Sequence, residues 1–147
     1  MENKEAAVGN RGIALCTLLA AGLLALAGCS SATGIPALDR DPAGADQWPG
    51  DRSHLENLGM QSVRFLVTHG NADYFATASA DEQTACLFKF AQGEASAAGG
   101  CGGAGDADAI VEVSAPGTRM MLVRAGSDFS DLEEAGWTRI HENILVF

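Results

Sequence analysis

The sequence predicts an α+β domain, mainly β: one antiparallel sheet, one or two short helices, and a long Gly-rich loop pinned by a disulfide. Three observations lead there. Runs of branched and aromatic residues are separated by short turn signals, which favours neighbouring antiparallel strands. A stretch of Gly, Ala, Ser and acids around Cys101 carries no periodicity. Two Ser-x-x-Glu patterns mark helix starts.

In chain order, residues 30–50 contain Pro36, Pro42 and Pro49 among Gly, Ser and Asp. Such a composition buries too little to offset its ordering entropy and reads as a tether. Ser53 and Glu56 fit a capping box, with Gly59 as a stop, so a short helix or helical turn is expected there. Strands are expected over Ser62 to Thr68, Ala72 to Ala78 and Thr84 to Phe90, with turns at His69-Gly70-Asn71 and Asp81-Glu82. Residues 91–109 read as a loop, its glycines giving the backbone freedom to bring Cys101 back to Cys86. Ile110 to Val113 and Thr118 to Arg124 read as strands around the turn Ala115-Pro116-Gly117. Ser130, Glu133 and Gly136 predict a single helical turn, and Ile144 to Phe147 a last strand.

The N-terminus has its own logic. Lys4 and Arg11 precede a mostly apolar run from Ile13 to Gly28 that ends in small residues at Cys29. A charged start, an apolar middle and a small-residue stop form an export signal. The run is short for a membrane span, which takes roughly 20 apolar residues. Its end, Leu26-Ala27-Gly28-Cys29, resembles the lipobox of bacterial lipoproteins. The resemblance implies that Cys29 carries a diacylglyceryl group and opens the mature chain. Two acyl chains hold a protein on a bilayer stably where one holds it marginally. The expected division is a signal peptide over 1–28, a flexible acidic tether over 29–51 and one globular domain over 52–147. The expected site is the cell membrane, lipid-anchored and facing outside the cytoplasm.

Composition narrows the partners. The chain carries 19 Asp and Glu against nine Lys and Arg, a net charge of −10. The leader's Glu2 and Glu5 balance Lys4 and Arg11, so the balance is unchanged without it. Such a surface repels phosphate backbones, which argues against nucleic-acid binding. The charge leaves room for an envelope protein, a cationic ligand or wall-bound cations. Of the four cysteines, Cys16 belongs to the leader and Cys29 to the lipid. Cys86 and Cys101 remain as an even pair in an oxidising compartment, where a disulfide is expected. A buried thiol at Cys86 with an exposed one at Cys101, or a redox pair, are the alternatives; the Cys-x-x-Cys spacing of redox sites is absent.

Arg64-Phe65-Leu66, Tyr74-Phe75-Ala76, Cys86-Leu87, Cys101-Gly102, Gly136-Trp137-Thr138 and Asn143-Ile144-Leu145-Val146 follow one another in an order that resembles small lipoproteins and secreted proteins of actinobacteria. That resemblance implies a shared fold and a shared disulfide, and brings no activity with it.

Residues able to carry chemistry are scattered. His54, His69 and His141 have no close spacing of the kind metal sites use, so surface or structural roles are expected. Asp106 and Asp108 place two carboxylates in the Gly-rich segment but lack the further ligands of a calcium loop. The glycines near Cys101 lack the Gly-Lys-Ser/Thr ending of a phosphate loop, and no Gly-x-Ser-x-Gly elbow occurs. Glu133 and Glu134 are adjacent and point apart on a helix, and Trp137 reads as core. The expected function is therefore a non-catalytic binding or assembly module at the cell envelope, with no cofactor and no metal. An envelope-associated enzyme, or an accessory to one, acting on cell-wall material is the alternative.

Overall fold

The structure, a computed structural model, describes residues 32–147. The segment expected as a leader and the lipobox-like stretch, with Cys16 and Cys29, lie outside the described residues. Eight strands are described, in two four-stranded antiparallel sheets. The first sheet contains β1 (Met60–His69), β2 (Ala72–Ser79), β3 (Thr84–Ala91) and β4 (Ala97–Gly103), a meander in chain order. The second contains β5 (Ala109–Ala115), β6 (Thr118–Val123), β7 (Thr138–His141) and β8 (Ile144–Val146), in the order β5-β6-β8-β7.

The expectation of a single sheet is thus corrected to two, and the reason lies in the apolar runs. In β2, Tyr74 and Ala76 face one way while Phe75 and Thr77 face the other, and all are buried. In β6, Met120 and Leu122 point into the shared core while Met121 and Val123 point outward beneath a second cover. A sheet with one wet face alternates apolar and polar; strands buried on both faces do not. The central core lies between the sheets, with Tyr74, Leu87 and small Ala72, Ala76 and Ala85 meeting Met120, Leu122 and Ile144. Outside the first sheet, Leu55, Val63, Phe75 and Phe90 form a second cluster. Outside the second sheet, Met121, Val123, Trp137 and Leu145 form a third, with Phe129 and Leu132 against it.

Three short helices complete the described chain. α1 (Pro36–Asp39) begins on a proline, whose fixed φ and missing donor suit a first helical position. α2 (Ser53–Asn57) and α3 (Ser130–Glu134) each end before a glycine in the left-handed region, Gly59 and Gly136. Their starts differ from the predicted capping boxes. The first amides are held by the aspartate two residues earlier: Asp51 accepts from the Ser53 N–H at 2.9 Å, and Asp128 from the Ser130 N–H at 2.9 Å. Five residues are too few for a stable isolated helix, so α2 depends on Leu55, whose burial contributes about 1.5–3 kcal/mol.

Two segments depart from their expected states. Residues 97–103, expected as part of a loop, are strand β4, paired with β3 from Thr84↔Gly103 to Phe90↔Ala97. Gly99, Gly100 and Gly102 serve close approach rather than loop freedom. A Cβ on Gly99 would overlap the Phe88 ring, one on Gly102 would overlap the Ile110 carbonyl oxygen, and one on Gly100 would lie 2.9 Å from Val113. Glycine lets Phe88 lie across β4 and lets β5 pass against it. The stretch expected as a tether also packs on the domain from Thr33 onward. Ile35 is fully buried in the central core, and the Gly34 carbonyl accepts from the Ala125 N–H at 2.8 Å and from Asn143 Nδ2 at 3.0 Å. A few well-placed apolar groups suffice where average composition predicts none.

The disulfide is present. Cys86 and Cys101 are direct partners across β3 and β4 and are bonded. Cys86 is wholly buried and Cys101 is exposed, so the bond runs from the outer-face cluster of the first sheet to the solvent.

Candidate functional site

The segment after α1 runs along the free edge of β1 and delivers one aromatic ring to the outer face of the first sheet. Asp46, in a 3-10 turn over Gly44–Asp46, anchors it. Its carboxylate accepts from Arg40 Nη1 and Nη2 at 2.6 Å each, from the Ala43 N–H at 2.7 Å and from the Phe65 N–H at 2.7 Å. The Arg40 hydrogen bonds first, then the two amides, hold Asp46 well below the usual carboxylate range, against burial, which pulls the other way. Arg64, itself buried, donates to the Arg40 carbonyl through Nε at 3.1 Å and Nη2 at 2.7 Å. Asp46 thereby takes up the Phe65 N–H on the edge strand β1, whose open backbone groups otherwise invite another chain.

Trp48 follows directly. Its indole stands at 87° to Phe88, at 86° to Phe90 and at 71° to Phe75, with ring centroids 5.0, 4.7 and 5.8 Å away. Phe88 and Phe90 sit two apart on β3 and so share one face of the sheet. Between these rings, the start of α2 and the β3–β4 connection lies a groove of about 520 Å³, lined by Trp48, Phe88, Phe90, Asp51, His54 and Glu94 among others. Gly50 forms part of the floor: a Cβ there would come within 2.9 Å of the Ala95 carbonyl oxygen and 3.3 Å of Trp48 Nε1. Asp51, exposed at the rim, is held below its ordinary range mainly by the Ser53 amide. The walls are apolar and aromatic with a few polar groups converging, the usual make-up of a small-molecule site.

The residues singled out in the sequence are dispersed. His54 lines the groove; His69 lies at the β1–β2 turn beside a smaller cavity of about 350 Å³ that includes Tyr74 and Lys89. His141 is half-buried on β7, where Nδ1 accepts from the Asn143 N–H at 3.1 Å and burial pushes the imidazole pKa down. Among the described residues no three His, Cys, Asp or Glu side chains gather as metal ligands. Asp108 accepts from the Ser127 hydroxyl at 2.8 Å, a loop contact. Glu133 pairs with Arg139 at 2.9 Å. Trp137 is core, with the Arg119 guanidinium 4.9 Å from its ring centre.

Trp48 and the rings it meets were missed as a site in the sequence. The signal was a lone tryptophan inside a Pro-, Gly- and Asp-rich stretch, an aromatic that a solvated tether does not need. Compared with family models, curated proteins and solved structures, the chain matches none. Among the described residues no helix is long and apolar enough to cross a membrane.

Proposed function

We propose that this chain is a lipid-anchored, extracytoplasmic lipoprotein whose folded domain is a non-catalytic binding module at the cell envelope, and that the Trp48–Phe88–Phe90 groove is its binding surface. The groove carries the proposal. It combines large, stiff aromatic side chains with rim groups that orient a ligand, on a rigid β-sheet face. The lipobox-like Leu26-Ala27-Gly28-Cys29 supports the anchor, and the Cys86–Cys101 disulfide fits an oxidising compartment.

His54 and Asp51 line the same groove, which favours the alternative of an enzyme or enzyme accessory acting on cell-wall material. The two readings separate by experiment. Cells fed a clickable fatty acid should label the wild-type chain in the membrane fraction, and Cys29→Ala should lose both label and membrane association. Loss of neither would remove the anchor from the proposal. Incubation with purified wall fragments should shift the Trp48 indole resonance without releasing product; turnover abolished by His54→Ala would replace the binding module with the enzyme.

A further inference from the structure

We infer that the groove takes a small organic cation: an ammonium group carried on an apolar body. The inference rests on the groove being the binding surface, and names what binds there. A volume of about 520 Å³ suits a small molecule rather than a folded partner. Trp48, Phe88 and Phe90 all line the groove, with Trp48 perpendicular to both phenylalanine rings. Aromatic faces are negative and attract cations, tryptophan best, and more strongly where water is excluded.

Carboxylates outnumber basic groups at the rim, two to the one histidine. Asp51 and Glu94 line the groove with His54, and no Lys or Arg is among its lining residues. Asp51 is kept as a carboxylate by the Ser53 N–H, and the Ala95 carbonyl faces the floor at Gly50. The chain's net charge of −10 adds a field that concentrates cations at its surface. An anionic ligand meets two carboxylates in this groove, and a neutral one gains at most a hydrogen bond from them. An ammonium with an apolar body uses the rings and the carboxylates together.

The test uses the full-length chain at low salt with three probes of similar size: benzyltrimethylammonium, benzyl alcohol and benzoate. Binding is read by calorimetry and by the Trp48 indole N–H signal, which is identified by its loss in Trp48→Phe. Benzyltrimethylammonium should bind roughly tenfold more tightly than benzyl alcohol, with benzoate weakest. Added salt should erode the preference, because charges at an exposed rim are screened. In the double variant Asp51→Asn with Glu94→Gln the preference should shrink to what the rings alone supply, while benzyl alcohol still binds. Asparagine keeps an acceptor for the Ser53 amide, so α2 is retained. Equal binding of benzyltrimethylammonium and benzyl alcohol, or a preference for benzoate, would overturn the cation and leave the groove as a binding surface. Silence of the Trp48 signal with all three probes, while the wild-type chain is folded by its Trp137 signal, would overturn both.

Discussion

Asp46 shows how much one carboxylate organises. It joins a guanidinium and two backbone amides at 2.6–2.7 Å, and the backbone it holds leads directly to Trp48. Its side chain is 3% exposed against 39% for Arg40, so the partly wet pair contributes less than a buried one, while the two amides lose their protein acceptor if it is removed. Asp46→Ala should cost about 2–3 kcal/mol in urea unfolding at neutral pH. The sign of the pH dependence follows from the depressed folded pKa. The stabilisation is complete above the unfolded carboxylate value of about 3.9, and is lost as pH falls below it toward the folded value. Stability measured from pH 6 down to pH 2.5 should therefore fall less steeply in Asp46→Ala than in the wild type; identical slopes would refute the anchor. No sequence pattern announces this role. Asp46 is one of several acids in a polar stretch, and only its approach to Phe65, 19 positions on, distinguishes it.

The strand β4 is held by its glycines. In the sequence Ala97-Ala98-Gly99-Gly100-Cys101-Gly102-Gly103 no residue has strand preference, so the segment reads as a loop; pairing with β3, the disulfide and the proximity of β5 override that preference. The glycines are unequal. Gly102→Ala should destabilise by about 1–3 kcal/mol, since its Cβ would overlap backbone of β5 and the strands must separate. Gly103→Ala, with open space around its Cβ, should be neutral or stabilise by up to about 1 kcal/mol by restricting the unfolded chain. Thermal melts of the two variants decide it: equal effects would mean that β5 does not lie against Gly102. The other strands with clear sequence signals, β1, β2, β3, β5, β6 and β8, fall where branched and aromatic residues and turn signals placed them. β7 was missed, because Thr138-Arg139-Ile140-His141 is short and mixed and becomes a strand by pairing with β8.

Across the described domain, apolar layers alternate with sheets: α2 and Trp48, the first sheet, the central core, the second sheet, then α3 and Trp137. The surface around them belongs to a chain of net charge −10, and like charges repel more in the compact state than in the unfolded one. Raising the ionic strength from about 10 mM to about 150 mM should therefore raise the Tm at pH 7 by a few degrees, as the Debye length shrinks from roughly 30 Å to about 8 Å. A falling Tm would mean that the ion pairs Arg40–Asp46, Arg119–Glu112 and Arg139–Glu133 outweigh that repulsion. The sequence by itself determined what is local: the strands with strong β character and the glycine stops after both predicted helical segments; it led to the expectation of a Cys86–Cys101 bond, which the structure contains. Tertiary structure alone decided the division into two sheets, the strand identity of a Gly-rich segment, and the docking of a Pro-rich stretch that sets Trp48 against Phe88 and Phe90. The physical reason is that turn and strand preferences act between near neighbours, whereas the groove and the packing of β4 depend on atoms tens of positions apart, whose free energy exists only once the sheets have met.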